Sequence, residues 1–159
     1  MDSQPGAGTT FRIGLPLLAR PDSQTPFGKL AGRQLAGSET ILVVEDQDDV
    51  RKTVLSILKR YNYQTLEASS GGEALRIVES YEDPIDLMLT DVIMPERSGK
   101  ESADQLRSLR PQMKVLYMSG YPADVISRQG VLDPGIEYIE KPFTPEGLAE
   151  KVRTVLDKG

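Results

Sequence analysis

Polar side chains stand where four buried-looking apolar runs stop. Thr40-Ile41-Leu42-Val43-Val44 ends in Glu45-Asp46, Ile85 to Thr90 ends in Asp91, Lys114 to Met118 ends in Ser119-Gly120, and Glu137 to Glu140 ends in Lys141-Pro142. If the fold gathers these ends, three carboxylates meet one hydroxyl and one ammonium. Carboxylates a few ångströms apart repel one another, and one pKa must rise unless a cation compensates. A hard divalent ion such as Mg²⁺ removes that conflict, because it prefers oxygen ligands and keeps positions open for water and phosphate. An ionised Asp91 could then attack phosphorus without a protonatable base, while Lys141 and Ser119 hold the other phosphoryl oxygens. Each residue alone has a plainer reading. Asp46 or Asp48 could cap the next helix, Asp91 could be a turn residue, Ser119-Gly120 a loop, Pro142 a strand stop and Tyr138 an ordinary aromatic. Their common place after apolar runs favours the chemical reading.

Composition narrows the chemistry in the same direction. The 159 residues include no histidine, cysteine or tryptophan, and the formal net charge is −5. That excludes Ser-His-Asp and Cys-His nucleophiles, His- or Cys-ligated zinc, disulfides, haem and iron–sulfur ligation. Residues 1–37 hold four basic and two acidic side chains, whereas residues 38–159 hold fifteen basic and twenty-two acidic ones. The acidic part is thus the globular part, opposite in sign to a phosphate-backbone binder, so direct nucleic-acid contact is not expected. No apolar run approaches the roughly 20 residues that span a bilayer, and no signal peptide is evident. A cytoplasmic setting is expected.

The elements that must position these residues follow from periodicity. From Glu39 onward, short β-rich runs alternate with helical patterns, which implies βαβ units and a parallel sheet. Helices are expected from about Asp48 to Tyr61, from a Ser70/Glu73 capping box to Ser80, and from a Ser98/Glu101 box to Arg110. A weaker helix is expected over about Ala123 to Gln129. A fifth begins with Thr144 as N-cap and Pro145 in its first turn, with Leu148, Val152, Val155 and Leu156 as its apolar stripe. Tyr63 to Ala68 supplies the remaining strand. Five strands and five helices alternate strictly, and right-handed crossovers bring all five strand ends to one edge, where open α/β sheets bind ligands.

At these residues the sequence resembles the receiver domain of two-component response regulators over about residues 39–158. The shared pattern comprises Glu45-Asp46, the run Asp91-Val92-Ile93-Met94-Pro95-Glu96-Arg97-Ser98-Gly99, Ser119-Gly120 and Lys141-Pro142-Phe143. The resemblance implies a doubly wound, flavodoxin/CheY-like α/β fold with strand order 2-1-3-4-5. It implies Asp91 as phospho-acceptor, with Mg²⁺ on Asp46, Asp91 and the Ile93 carbonyl, and Glu45 acting through water. Lys141, Ser119 and the Gly120 backbone would hold the phosphoryl group. Ser119 and Tyr138 would then switch the face made by the fourth helix, the fifth strand and the fifth helix.

Residues 1–37 carry four Pro and six Gly and read as tail or linker. Within them Gly6-Ala7-Gly8-Thr9-Thr10-Phe11-Arg12-Ile13-Gly14-Leu15-Pro16 resembles the end of a histidine-kinase ATP-binding domain, with Gly6, Gly8 and Thr9 in its turn. The expected organisation is a kinase-end strand over 1–16, treated alone as a strand with no sheet to join, a flexible linker over 17–37 and a receiver over 38–159. Such a chain is the C-terminal piece of a hybrid histidine kinase, whose parent can itself be membrane-associated. It is not a kinase itself but promotes phosphorylation of its own Asp91. Its expected partners are a histidine-kinase donor in cis or in trans and a histidine phosphotransfer protein or other protein output, since helix five is followed by almost no chain. Bulky Ile93 and Tyr121 beside the site imply slow dephosphorylation. Competing readings are a stand-alone response regulator, a pseudo-receiver interaction module, and an aspartyl-phosphate hydrolase of the haloacid dehalogenase type. The last would need a second Asp two residues after the nucleophile, where Ile93 stands.

Overall fold

In a computed structural model, residues 35–95, 98–122 and 135–158 are described, together with two-residue strands at 2–3 and 9–10. The chain divides into two units, 1–33 and 34–159. In the first, Asp2–Ser3 pairs antiparallel with Thr9–Thr10. The strand read from Thr9 onward therefore has a partner inside its own unit, a correction to the expectation that it had no sheet to join. Gly6, Gly8 and the rest of that stretch lie outside the described residues.

The second unit is built on five parallel strands: β1 (Thr40–Val44), β2 (Gln64–Ala68), β3 (Leu87–Asp91), β4 (Lys114–Ser119) and β5 (Tyr138–Glu140). Their spatial order is β2-β1-β3-β4-β5, the doubly wound order expected. Four helices are described: α1 (Asp48–Arg60), α2 (Gly71–Ser80), α3 (Gly99–Leu109) and α4 (Pro145–Asp157). The helix expected over 123–129 lies outside the described residues.

Strand alternation divides the core in two. Leu42, Val44 and Met88 face one side with Ala74, Val78, Ala103 and Leu106 of α2 and α3. Ile41, Val43, Leu87 and Leu89 face the other with Val54, Leu58, Leu148 and Val152 of α1 and α4. All five β1 residues are buried, as a central parallel strand covered on both faces requires. The caps follow the sequence. Ser98 and Glu101 form both bonds of a capping box, Ser70 accepts from the Glu73 amide, and Thr144 accepts from the Gly147 amide with Pro145 at the helix start. Asn62, at φ 66°, turns the chain out of α1, a left-handed position that Asn tolerates.

Three strand starts differ from the pattern. β3 begins at Leu87 rather than Ile85; just before it the Asp86 carboxylate accepts from the Thr40 amide at 2.8 Å. β2 begins after Tyr63, a buried ring whose hydroxyl donates to the Leu35 carbonyl at 2.7 Å. β5 keeps three residues, Tyr138–Glu140. Leu35 and Gly37, within the stretch whose composition reads as linker, thus belong to the second unit and are bonded into it, Gly37 through its amide to the Tyr61 carbonyl. Among the described residues no helix is long and apolar enough to cross a membrane.

Candidate functional site: an acidic pocket closed by a lysine

The register decides which strand ends meet. Val44 pairs with Thr90 and Asp91 with Met118, so Glu45, one residue past β1, rises beside Asp91 at the end of β3. Ser119 pairs with Glu140, which places Lys141 just past the next strand on the same edge. From there the Lys141 Nζ reaches back across the sheet and donates to Glu45 Oε2 and Asp91 Oδ2, both at 2.8 Å. The Lys141–Pro142 peptide is cis.

The electrostatics are those of a buried, incompletely neutralised cluster. Glu45 is fully buried and Asp91 is 8% exposed. Burial pushes the Glu45 carboxyl above its usual range, and the Lys141 bond only partly offsets that. Burial alone would lower the Lys141 ammonium, but its bonds to Asp91 and Glu45 outweigh it and hold the ammonium above its usual value. Asp46 completes the group: one carboxylate oxygen from each of Glu45, Asp46 and Asp91 lies within 4.8 Å of the others. Three carboxylates against one ammonium leave two formal negative charges, on donors that are all oxygen. That set fits a hard divalent cation, and no cysteine or histidine is present to favour a softer one.

The remaining expected residues take other places. Ser119 is buried, but its hydroxyl is engaged within its own loop, accepting from the Tyr121 amide at 3.0 Å and donating to the Tyr121 carbonyl at 3.1 Å. It is thus near the pocket without a bond to Asp91. The Ile93 amide donates to Asp91 Oδ1 at 3.2 Å, while its side chain is 57% exposed. Gly120 has open space where a Cβ would stand. Tyr138 is partly buried against the core face that contains Tyr117, its neighbour in register.

Three supporting residues, Gln47, Arg51 and Thr90, escape a reading of motifs, and a fourth, Gly99, is part of the motif itself. The Gln47 amide donates to Glu45 Oε1 at 3.1 Å, and Arg51 Nη1 donates to the Glu45 carbonyl at 2.7 Å. The Thr90 hydroxyl donates to the Asp91 carbonyl at 3.1 Å. Gly99 starts α3 directly over Asp91, where a Cβ would fall 1.9 Å from the Asp91 carbonyl oxygen. Gly99 is the glycine of the Met-Pro-Gly pattern, whereas Arg51 looks in sequence like any charge on an exposed helix face.

Comparison with known proteins agrees with this geometry. The family model described as response regulator receiver domain matches residues 41–153. The sensor kinase CckA of Brucella abortus is 36% identical over 165 residues, covering 99% of this chain and 17% of CckA, so the chain spans under a fifth of that relative's length. The crystal structure of the receiver domain from the hybrid histidine kinase CckA is 35% identical with TM-score 0.63, covering 74% of this chain and 99% of that one. The response regulator TrrA of Thermotoga maritima, solved in complex with Mg²⁺-BeF, is 30% identical with TM-score 0.61, covering 74% of this chain and 98% of that one. With an acidic triad, two of whose carboxylates share a lysine, on the C-terminal edge of a 2-1-3-4-5 sheet, and a family match across most of that sheet, this chain belongs to the response regulator receiver domain family.

Proposed function

We propose that the chain is a Mg²⁺-dependent phosphoryl acceptor in a two-component phosphorelay, with Asp91 as the accepting residue. The observation that carries this reading is the Lys141 ammonium shared between buried Glu45 and Asp91, with Asp46 completing an oxygen-only set that still lacks two positive charges. Asp46, Asp91 and the Ile93 carbonyl would hold Mg²⁺, with Glu45 acting through water. The ion supplies charge neutralisation on the transferring group. An Asp91 oxygen forms a bond to phosphorus as the phosphorus–nitrogen bond of a donor phosphohistidine breaks and the imidazole nitrogen keeps the electron pair. Lys141 then exchanges one carboxylate for a phosphoryl oxygen. Ser119 releases the Tyr121 backbone and donates to another phosphoryl oxygen, with the Gly120 backbone beside it, because a dianion offers a stronger, charge-assisted bond than a neutral carbonyl does.

Movement of Ser119 frees space for Tyr138 to turn further in, which alters the face built from β5 and α4. Ile93 and Tyr121, each more than half exposed, flank the acceptor with apolar bulk that hinders attacking water, so the phosphoryl group is lost slowly. The similarity to CckA runs over 99% of this chain, including the residues before the family match. This supports placing it in the cytoplasmic part of a hybrid histidine kinase, with a phosphotransfer protein or another protein receiving the output.

The test is incubation with acetyl phosphate and Mg²⁺, read by intact mass, beside beryllofluoride addition read by NMR. A phosphoryl mass increment and amide shifts around the pocket are expected for the wild type and not for Asp91→Asn. If the two proteins behave alike, the reading fails.

A further inference from the structure

The geometry points to Arg51 as a positioning residue that sets the direction of Asp46 by holding the Glu45–Asp46 peptide from α1. The carbonyl of Glu45 belongs to the peptide that leads into Asp46. With the Glu45 amide held by the Ala68 carbonyl, the position of the Glu45 carbonyl oxygen sets ψ, and with it the planar peptide's orientation and the bearing on which the next Cα leaves. Arg51 fixes that oxygen through Nη1 at 2.7 Å. The guanidinium is itself held: Nη2 pairs with Asp48 and Nε lies 3.6 Å from Glu67 on β2. Its side chain is only 12% exposed, so the fork is set against the protein rather than free in water, and a fork with several fixed partners loses little freedom on bonding.

The rest of the β1–α1 turn is pinned in the same way. The Glu45 amide donates to the Ala68 carbonyl at 3.1 Å and the Arg51 amide to the Gln47 carbonyl at 2.9 Å, while the Gln47 amide holds Glu45 Oε1. Asp46 is the exception. Lys141 bonds the other two carboxylates, and among the described residues no ammonium or guanidinium pairs with Asp46. The backbone on either side of it must therefore supply its orientation, and Arg51 is the side chain that grips that backbone.

This inference rests on the proposed Mg²⁺ site, and its sign separates it from simple electrostatics. Removing a positive charge near an acidic pocket should tighten cation binding if only Coulomb attraction matters. Loss of a residue that orients a ligand should weaken it, by on the order of 10-fold where such supports have been removed. Mg²⁺ titration followed by the NMR shifts of the Asp46 and Gln47 amides distinguishes the two, with melting in EDTA to confirm that each variant folds. Arg51→Met is expected to weaken Mg²⁺ binding about tenfold and to move those two amides before any metal is added. Arg51→Lys, which keeps the charge and one donor but not the fork, should fall between. Lys52→Met, an equal charge loss on the exposed neighbour, should leave binding unchanged or slightly tighter. If folded Arg51→Met binds Mg²⁺ as well as the wild type or better, the role of Arg51 is overturned while the metal site stands. A wild-type chain that takes up no Mg²⁺ overturns both.

Discussion

Replacing Gly99 by alanine adds one methyl group, and the structure places it where the Asp91 backbone already is. The new Cβ would lie 1.9 Å from the Asp91 carbonyl oxygen, 3.0 Å from its carbon and 3.1 Å from Thr90 Oγ1. Since non-bonded carbon and oxygen settle above about 3 Å, roughly 1 Å of movement is forced between the start of α3 and the end of β3. Neither side yields easily. The Gly99 amide is bonded to the Val92 carbonyl at 2.9 Å, the Ser98/Glu101 capping box fixes the helix start, and Asp91 is in register with Met118. Overpacking of this kind costs about 1–3 kcal/mol. The larger effect should be on chemistry, because an acceptor displaced by about 1 Å from its supports can lose on the order of 100-fold in rate. The assay pairs urea unfolding with the rate of Asp91 phosphorylation from acetyl phosphate in saturating Mg²⁺. Gly120→Ala is the control, since nothing lies within 4 Å of its added Cβ, and it should match the wild type in stability. A Gly99→Ala protein with wild-type stability and wild-type rate would refute the reasoning, showing that α3 can slide without carrying Asp91 along.

Two further outcomes are expected. Lys141→Met strips the cation from fully buried Glu45 and nearly buried Asp91, so urea unfolding in EDTA should show a loss of about 3 kcal/mol. Adding Glu45→Gln should recover part of that loss, and no recovery would mean that the buried charge was not its cause. The second concerns acid. The Arg153 bond holds the Glu39 carboxyl below its usual 4.5, so folding favours the ionised form. That stability is fully present above about 4.5 and is lost as pH falls through the depressed folded value. Glu39→Gln should accordingly cost about 1 kcal/mol near neutrality and nothing at the acid end, with the gap closing below pH 4.5. Glu45, whose carboxyl is raised, works in the opposite sense, weakening the fold as pH climbs past the ordinary value. A gap between wild type and Glu39→Gln that is constant across the acid range would remove the linkage.

The order of elements and most caps were legible because they depend on near neighbours in sequence. Ser70 and Ser98 announce their helices through Glu73 and Glu101 three residues on, and Thr144-Pro145 does so for α4. The exact start of β3 was not legible. It lies beside a contact between Asp86 and Thr40, forty-six positions apart in the chain, that no local pattern shows. Lys114 is a similar case, an ordinary strand residue by pattern whose ammonium donates to the Leu156 carbonyl at 2.7 Å and so closes the end of α4.

By itself, then, the sequence determined which chemistry was open to this protein. A chain without histidine or cysteine, with acids at the ends of two of its strands and lysine after another, is confined to carboxylate, hydroxyl and ammonium groups. What only the tertiary structure decided is which of them act on one another. Lys141 bridges Glu45 and Asp91 across 96 and 50 positions of chain, whereas Ser119 turns to its own loop. Residue types are local properties, but the field a carboxylate feels depends on burial and on charges brought within a few ångströms, and the sheet register alone sets those distances.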